Sequence, residues 1–198
     1  MFPSELASAS RSQTVRRVGL RLLYACAGLA LFAASASAQP RDHLTDAESE
    51  LVRFHQQLDK RTEVFIKAAD RRFAIINGLS ETKSKKLDKE EPDWGDLPKG
   101  TRAQLLGDVA GILDEAITNI DNVSQHDEKN PLISRSLRKL TTAANVYITQ
   151  LNALHVQTKD EDELAAIEKA LDYANQIIEA GSKLPAASPE KEKKKSKP

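Results

Sequence analysis

The chain has 198 residues with 29 basic and 29 acidic side chains, 40% apolar residues and one cysteine. Setting aside an N-terminal leader with four arginines and one glutamate leaves 25 basic and 28 acidic residues, a net charge of −3. That balance gives no basic field of the kind that drives nucleic-acid binding, and the roughly 160 remaining residues suit one domain with a continuous core.

The leader reads in the order that a signal peptidase requires. Arg11, Arg16, Arg17 and Arg21 precede an apolar run from Leu22 to Ala34, and Ala36-Ser37-Ala38 stands before Gln39. Residues 1–38 are therefore expected to be a signal peptide cleaved after Ala38. The uncharged stretch Leu22 to Ala38 is short and rich in Ala and Ser for a span that takes about 20 apolar residues, so no transmembrane helix is expected in the mature form. Arg16-Arg17 carries the dipeptide of the twin-arginine route, but Gly19 stands where that signal takes a bulky apolar residue. Leu23-Tyr24-Ala25-Cys26 is a poor lipidation site because Tyr24 fits badly. The Ala-rich leader suggests a bacterial cell envelope, with the product periplasmic or secreted. Met1 and Cys26 leave with it, so the mature chain has no disulfide, thiolate or thioether chemistry.

Four amphipathic helices follow, over about 45–77, 101–124, 131–156 and 161–180. Thr45 and Glu48 form a capping box for the first, and Gly78 supplies its left-handed end. Its seam, Leu51, Phe54, Leu58, Thr62, Phe65, Ala69, Phe73 and Ile76, repeats every 11 residues, which predicts one long and nearly straight helix. Thr101 with Gln104 opens the second, Asn130 with Pro131 the third, and Asp160 with Glu161, Asp162 and Glu163 the fourth, which Gly181 is expected to close. Each helix is apolar on one stripe and must bury it against the others. The short second and third connections imply antiparallel neighbours. The expected fold is all-α: an antiparallel up-down-up-down four-helix bundle over 39–184, packed in the manner of a coiled coil, with one long first connection (79–100). Residues 185–198 are expected to be a disordered Lys-rich tail.

The first connection has 22 residues where bundles use about 2 to 8. Trp94, Leu97 and Pro98 read as anchors that dock it, which makes Trp94 and Leu97 candidate interaction residues. On the second helix Ala103, Gly107, Ala110, Gly111, Asp114 and Thr118 form a small-residue stripe. Gly107 and Gly111 each cost roughly 1 kcal/mol relative to alanine, so they call for a close approach by a neighbouring helix or an external partner. In the tail, Lys193, Lys194 and Lys195 with their neighbouring lysines form a candidate tether to anionic lipid headgroups, lipopolysaccharide or wall polymers.

The histidines and carboxylates suit solvated roles better than catalytic or metal-binding ones. No inward Glu-x-x-His pair of the di-iron type occurs, and His55 and His155 are expected far apart along the bundle axis. His43 and His126, with Asp42, Asp127 and Glu128, read as solvated loop residues rather than a surface metal site. No nucleophile stands in a turn near a histidine at informative spacing. The expectation is a non-enzymatic, exported cell-envelope interaction or accessory protein with no catalytic residue, cofactor or metal, acting on another envelope protein or an anionic envelope surface. The alternative is a bundle that binds a small apolar ligand in a cavity lined by Ala69, Ala116, Ala144 and Ala174; an enzyme ranks below both.

Overall fold

The computed structural model describes residues 41–78 and 94–185, and among these it is all-helical, with no strand. Five helices succeed one another: α1 (Asp46–Phe54), α2 (Leu58–Ile76), α3 (Arg102–His126), α4 (Pro131–Gln157) and α5 (Glu161–Ser182). The expected signal peptide, most of the first connection and the lysines of the tail, including Lys193, Lys194 and Lys195, lie outside the described residues. Everything that packs together here belongs to the unit that begins at Asp42.

The capping residues act where local chemistry places them. Thr45 and Thr101 each accept from the backbone N–H three residues on, and the side chains of Glu48 and Gln104 return the bond to the cap's own N–H. Asn130 caps α4 ahead of Pro131, and Asp160 caps α5. Gly78 takes the left-handed conformation beyond α2, with φ +90°. Gly181, expected as a stop, lies inside α5 instead. A Cβ there would stand 2.2 Å from Thr141 Oγ1 of α4, so this glycine serves close packing rather than chain reversal.

The expected single helix over 45–77 is two helices. His55 and Gln57 adopt extended backbone angles, ψ 103° and 132°, and the chain turns between α1 and α2. A continuous helix would hold Glu48 about 35 Å from Arg71 at 1.5 Å per residue. Their side chains are instead 2.7 Å apart, because α1 folds back along α2. The seam survives within α2, where Leu58, Thr62, Phe65, Ala69 and Phe73 are all buried. It fails at Phe54, which is 78% exposed and stands edge-to-face with the His55 ring, centroids 5.3 Å apart.

The core joins all four long helices. Leu106, Val109, Leu113, Ala116 and Ile120 of α3 meet Leu140, Ala144, Tyr147, Leu151 and Leu154 of α4 and Ile167, Ala170, Ala174 and Ile177 of α5 in one cluster with Phe65, Ala69 and Phe73 of α2. Tyr147 stacks on Phe73 with centroids 5.0 Å apart, and its hydroxyl donates to the Asp70 carboxylate at 2.8 Å. Ala69, Ala116, Ala144 and Ala174 are no more than 1% exposed. They fill the core rather than line a cavity, because small side chains let the helices close on one another.

Candidate functional site: a buried charge cluster beneath Trp94

Polar residues that are fully buried in an otherwise apolar interior mark the place to look for chemistry. Glu48, Arg72 and Asp108 are 0%, 1% and 4% exposed, and together with Arg71 they meet where α1, α2, α3 and the segment after Asp93 converge. One carboxylate takes three donors. Glu48 Oε1 accepts from Arg71 Nη1 at 2.7 Å and from Arg72 Nη1 at 2.5 Å, while Oε2 accepts from the Thr45 N–H at 2.9 Å. The capping-box glutamate is thus also the counter-ion for two guanidinium groups.

The arginines are held as firmly as the carboxylate. Arg71 donates to the backbone carbonyls of Trp94 (2.9 Å), Gly95 (3.2 Å) and Asp96 (2.8 Å). Arg72 donates to the carbonyls of Ala68 (3.0 Å) and His43 (2.7 Å), and its Nε lies 3.8 Å from Asp108. The planar guanidinium fork suits such convergent acceptors, which a lysine could not satisfy. Two arginines against Glu48 and Asp108 leave the interior charge balanced.

Trp94 is 6% exposed, and Leu97 and Pro98 beside it are half-buried and buried. The expected docking of this end of the connection is therefore present, although its cause is partly electrostatic. Lys67 Nζ lies 4.9 Å from the Trp94 ring centre and Arg71 Cζ 5.6 Å from it, so two cations approach the ring. Gly95 is required twice over. Its φ is +63°, and a Cβ would stand 2.8 Å from Ala47 Cβ of α1.

The two glycines of the small-residue stripe part company. Nothing lies within 4 Å of a Cβ built on Gly107, whereas one on Gly111 would stand 2.8 Å from the His43 ring. The close approach at Gly111 is made by the N-terminal segment, not by a neighbouring helix. His43, expected as a solvated loop residue grouped with His126, lies instead against α3 with Nε2 2.7 Å from Glu115 Oε2. His126 bonds the Asn122 carbonyl at the far end of the same helix, about 22 Å along it from Gly111. The hydrogen bond to Glu115 is the largest influence on His43 and raises its pKa above 6.5; burial opposes it, and the charges of Glu115, Asp42 and Asp108 reinforce it.

Most of the hydrogen-bonding capacity of the cluster is used internally. Both oxygens of Glu48 accept, the terminal nitrogens of both guanidinium groups donate to carbonyls and to Glu48, and His43 pairs with Glu115 at the rim, while Arg72 Nε, 3.8 Å from Asp108, and Trp94 Nε1 are buried without a hydrogen-bond partner. Among the described residues no group of three or more His, Cys, Asp or Glu side chains is placed to hold a metal ion. An apolar recess of about 230 Å³ lies elsewhere, between α3, α4 and α5, bounded by Ile117, Ile120, Leu137, Leu140 and Ile177 with Asp121 at its edge. Sequence reading missed Glu48 as an ion-pair partner, together with Arg71, Arg72, Asp108 and Glu115. The available signal was Arg72, which falls seven residues after Phe65 and three after Ala69, inside the apolar arc. Compared with known proteins, the chain matches no family model, no curated protein and no solved structure.

Proposed function

We propose that this chain is an exported, non-enzymatic accessory protein of the cell envelope that acts by presenting its helical surface to a protein partner. One observation carries the reading: the most chemically capable residues are consumed in joining segments of the chain. Glu48, Arg71 and Arg72 tie α1, α2, the His43 segment and the Trp94 segment together; Arg72 Nε has no hydrogen-bond partner, and it is buried 3.8 Å from Asp108 rather than open to a substrate. Activity then belongs to the surface. Phe54 and Val156 are 78% and 85% exposed, and these are the side chains we take as points of contact with a partner.

Export rests on the order of the leader: basic residues, apolar run, then Ala36-Ser37-Ala38. No helix among the described residues is long and apolar enough to cross a membrane. The lysines at 193–195 would tether the protein to an anionic envelope surface.

We read the four long helices as a bundle whose members alternate in direction along the chain, with α1 folded against one end; the expected antiparallel packing of α3 on α4 is slight, and α3 packs chiefly on α5, which runs parallel to it, and on α2. Lys139 meets Glu63, Tyr147 meets Asp70 and Gln150 meets Asn77, steps that advance together along α2 and α4. Arg102 meets Glu163 and Asp114 interacts with Tyr173, which runs α3 and α5 alike. His155 with Glu168 and Thr141 with Ile177 run α4 and α5 oppositely.

The test is site-specific photocrosslinking in intact cells, with the reactive group at Phe54 or Val156 and at the exposed Thr149 as a control. A discrete adduct in the envelope fraction from the first two positions supports the proposal, and an absence of adducts from both contradicts it. A second reading has the recess between α3, α4 and α5 as a site for a small apolar ligand. At about 230 Å³ it falls below the roughly 300–1,000 Å³ of ordinary ligand pockets, which favours the surface reading.

A further inference from the structure

We propose that His43 is the moving part of a pH-responsive clasp, which fastens the segment ahead of α1 onto α3 when its imidazole is protonated and loosens it when the imidazole is neutral. The clasp is built into the packing. The ring abuts α3 at Gly111, where an added Cβ would stand 2.8 Å from His43 Cγ, and its Nε2 reaches Glu115 at 2.7 Å. The same residue's carbonyl accepts from Arg72 at 2.7 Å, and the next side chain, Leu44, is 8% exposed. Ring, carbonyl and neighbour thus all dock at once, and only the first of these contacts carries a proton that comes and goes near neutral pH.

The groups that face the ring are mostly acidic. From α3 come Glu115 and Asp108, and from its own segment Asp42, whose carboxylate is 3.9 Å from Nδ1. Arg72 of α2 is the cation on this side, and it is directed at the His43 carbonyl rather than at the ring. An imidazolium therefore meets three carboxylates, with a charge-assisted bond to Glu115. A neutral imidazole keeps at most an ordinary hydrogen bond there and leaves those charges facing one another.

The sign follows from the direction of the perturbation. His43 titrates above its ordinary 6.5, so its contribution is complete below 6.5 and is lost as pH rises through the higher folded value. Loosening frees the His43 carbonyl from Arg72 and opens a path for water to the Glu48–Arg71–Arg72 cluster beneath Trp94. An exported protein would experience this within the range of external pH. The inference does not depend on the partner-binding role proposed above.

Amide exchange of the chain as isolated tests it, read over residues 42–48 and normalised for intrinsic rates from about pH 5.5 to about pH 8.5. In the native protein protection of 42–48 should fall several-fold with a midpoint above 6.5, while α3, α4 and α5 hold theirs. His43→Gln should abolish the pH dependence, and Glu115→Gln should move the midpoint down. Protection that is flat with pH in the native protein, or an unchanged fall in His43→Gln, overturns the proposal. Should His43→Gln fail to fold, an NMR titration of His43 in the native protein decides: a midpoint at or below 6.5 overturns it, and one above 6.5 that drops in Glu115→Gln supports it.

Discussion

Replacing Glu48 by glutamine separates the two roles of this residue. A glutamine at the third helical position still closes a capping box, as Gln104 does with Thr101 at the start of α3. The helix cap therefore survives, and what disappears is one negative charge, fully buried and in contact with Arg71 and Arg72. Asp108 is then the one remaining buried carboxylate opposite two guanidinium groups, and it lies 3.8 Å from Arg72. Removing one partner of a buried ion pair costs about 3–5 kcal/mol, because a charge is stranded away from water. For a domain of this size that corresponds to a fall in melting temperature of roughly 10–15 °C. Thr45→Ala gives the scale for the cap alone, about 1 kcal/mol. Urea unfolding followed by far-UV circular dichroism and by Trp94 fluorescence would measure both variants. A loss in Glu48→Gln no larger than that in Thr45→Ala would refute the claim that the charge cluster holds these segments together.

The helix glycines give a contrast of opposite sign. Gly107→Ala should stabilise by up to about 1 kcal/mol, since open space meets the new methyl; Gly111→Ala should destabilise by about 1–3 kcal/mol through collision with His43, and thermal melts of the pair would show it. The native protein should show blue-shifted emission from Trp94 that moves red on unfolding, whereas solvent-like native emission would contradict its docking. Burial, opposed by the Tyr147 hydrogen bond and Lys67, holds the Asp70 carboxyl above its ordinary pKa, so its contribution to stability is greatest below 3.8 and is lost as pH rises through the folded value. Asp70→Asn should therefore match or exceed the native stability at neutral pH and lose that advantage as pH falls, in denaturant melts taken across the acid range. Mass spectrometry of the exported chain should find Gln39 at its start.

The helix starts were legible because capping is local. Thr101 with Gln104, Asn130 with Pro131, and Asp160 each name a boundary within four residues of sequence, and the 3-4 spacing of α3 and α4 names the faces they bury. The break at His55–Gln57 was not legible, since no glycine or proline marks it. It exists because Glu48 reaches arginines 23 and 24 residues away, and only the folded chain brings them together. Trp94 announced itself as an anchor by its size, yet the carbonyl bonds from Arg71 that seat its segment leave no trace in a hydrophobic pattern. His43 was misplaced for the same reason: its partner Glu115 is 72 residues on, and Gly111, which makes room for it, looked like a helix–helix crossing.

Arg71 couples α1 to the Trp94 segment, and amide exchange on Arg71→Met tests that coupling. Arg71 contacts Glu48 on one side and the carbonyls of Trp94, Gly95 and Asp96 on the other. Methionine keeps much of the aliphatic stem and removes every one of those bonds. Residues 44–48 and 94–97 should lose protection together while α3, α4 and α5 retain theirs. Undiminished protection at 94–97, or loss at one segment without the other, would show that Arg71 does not couple them.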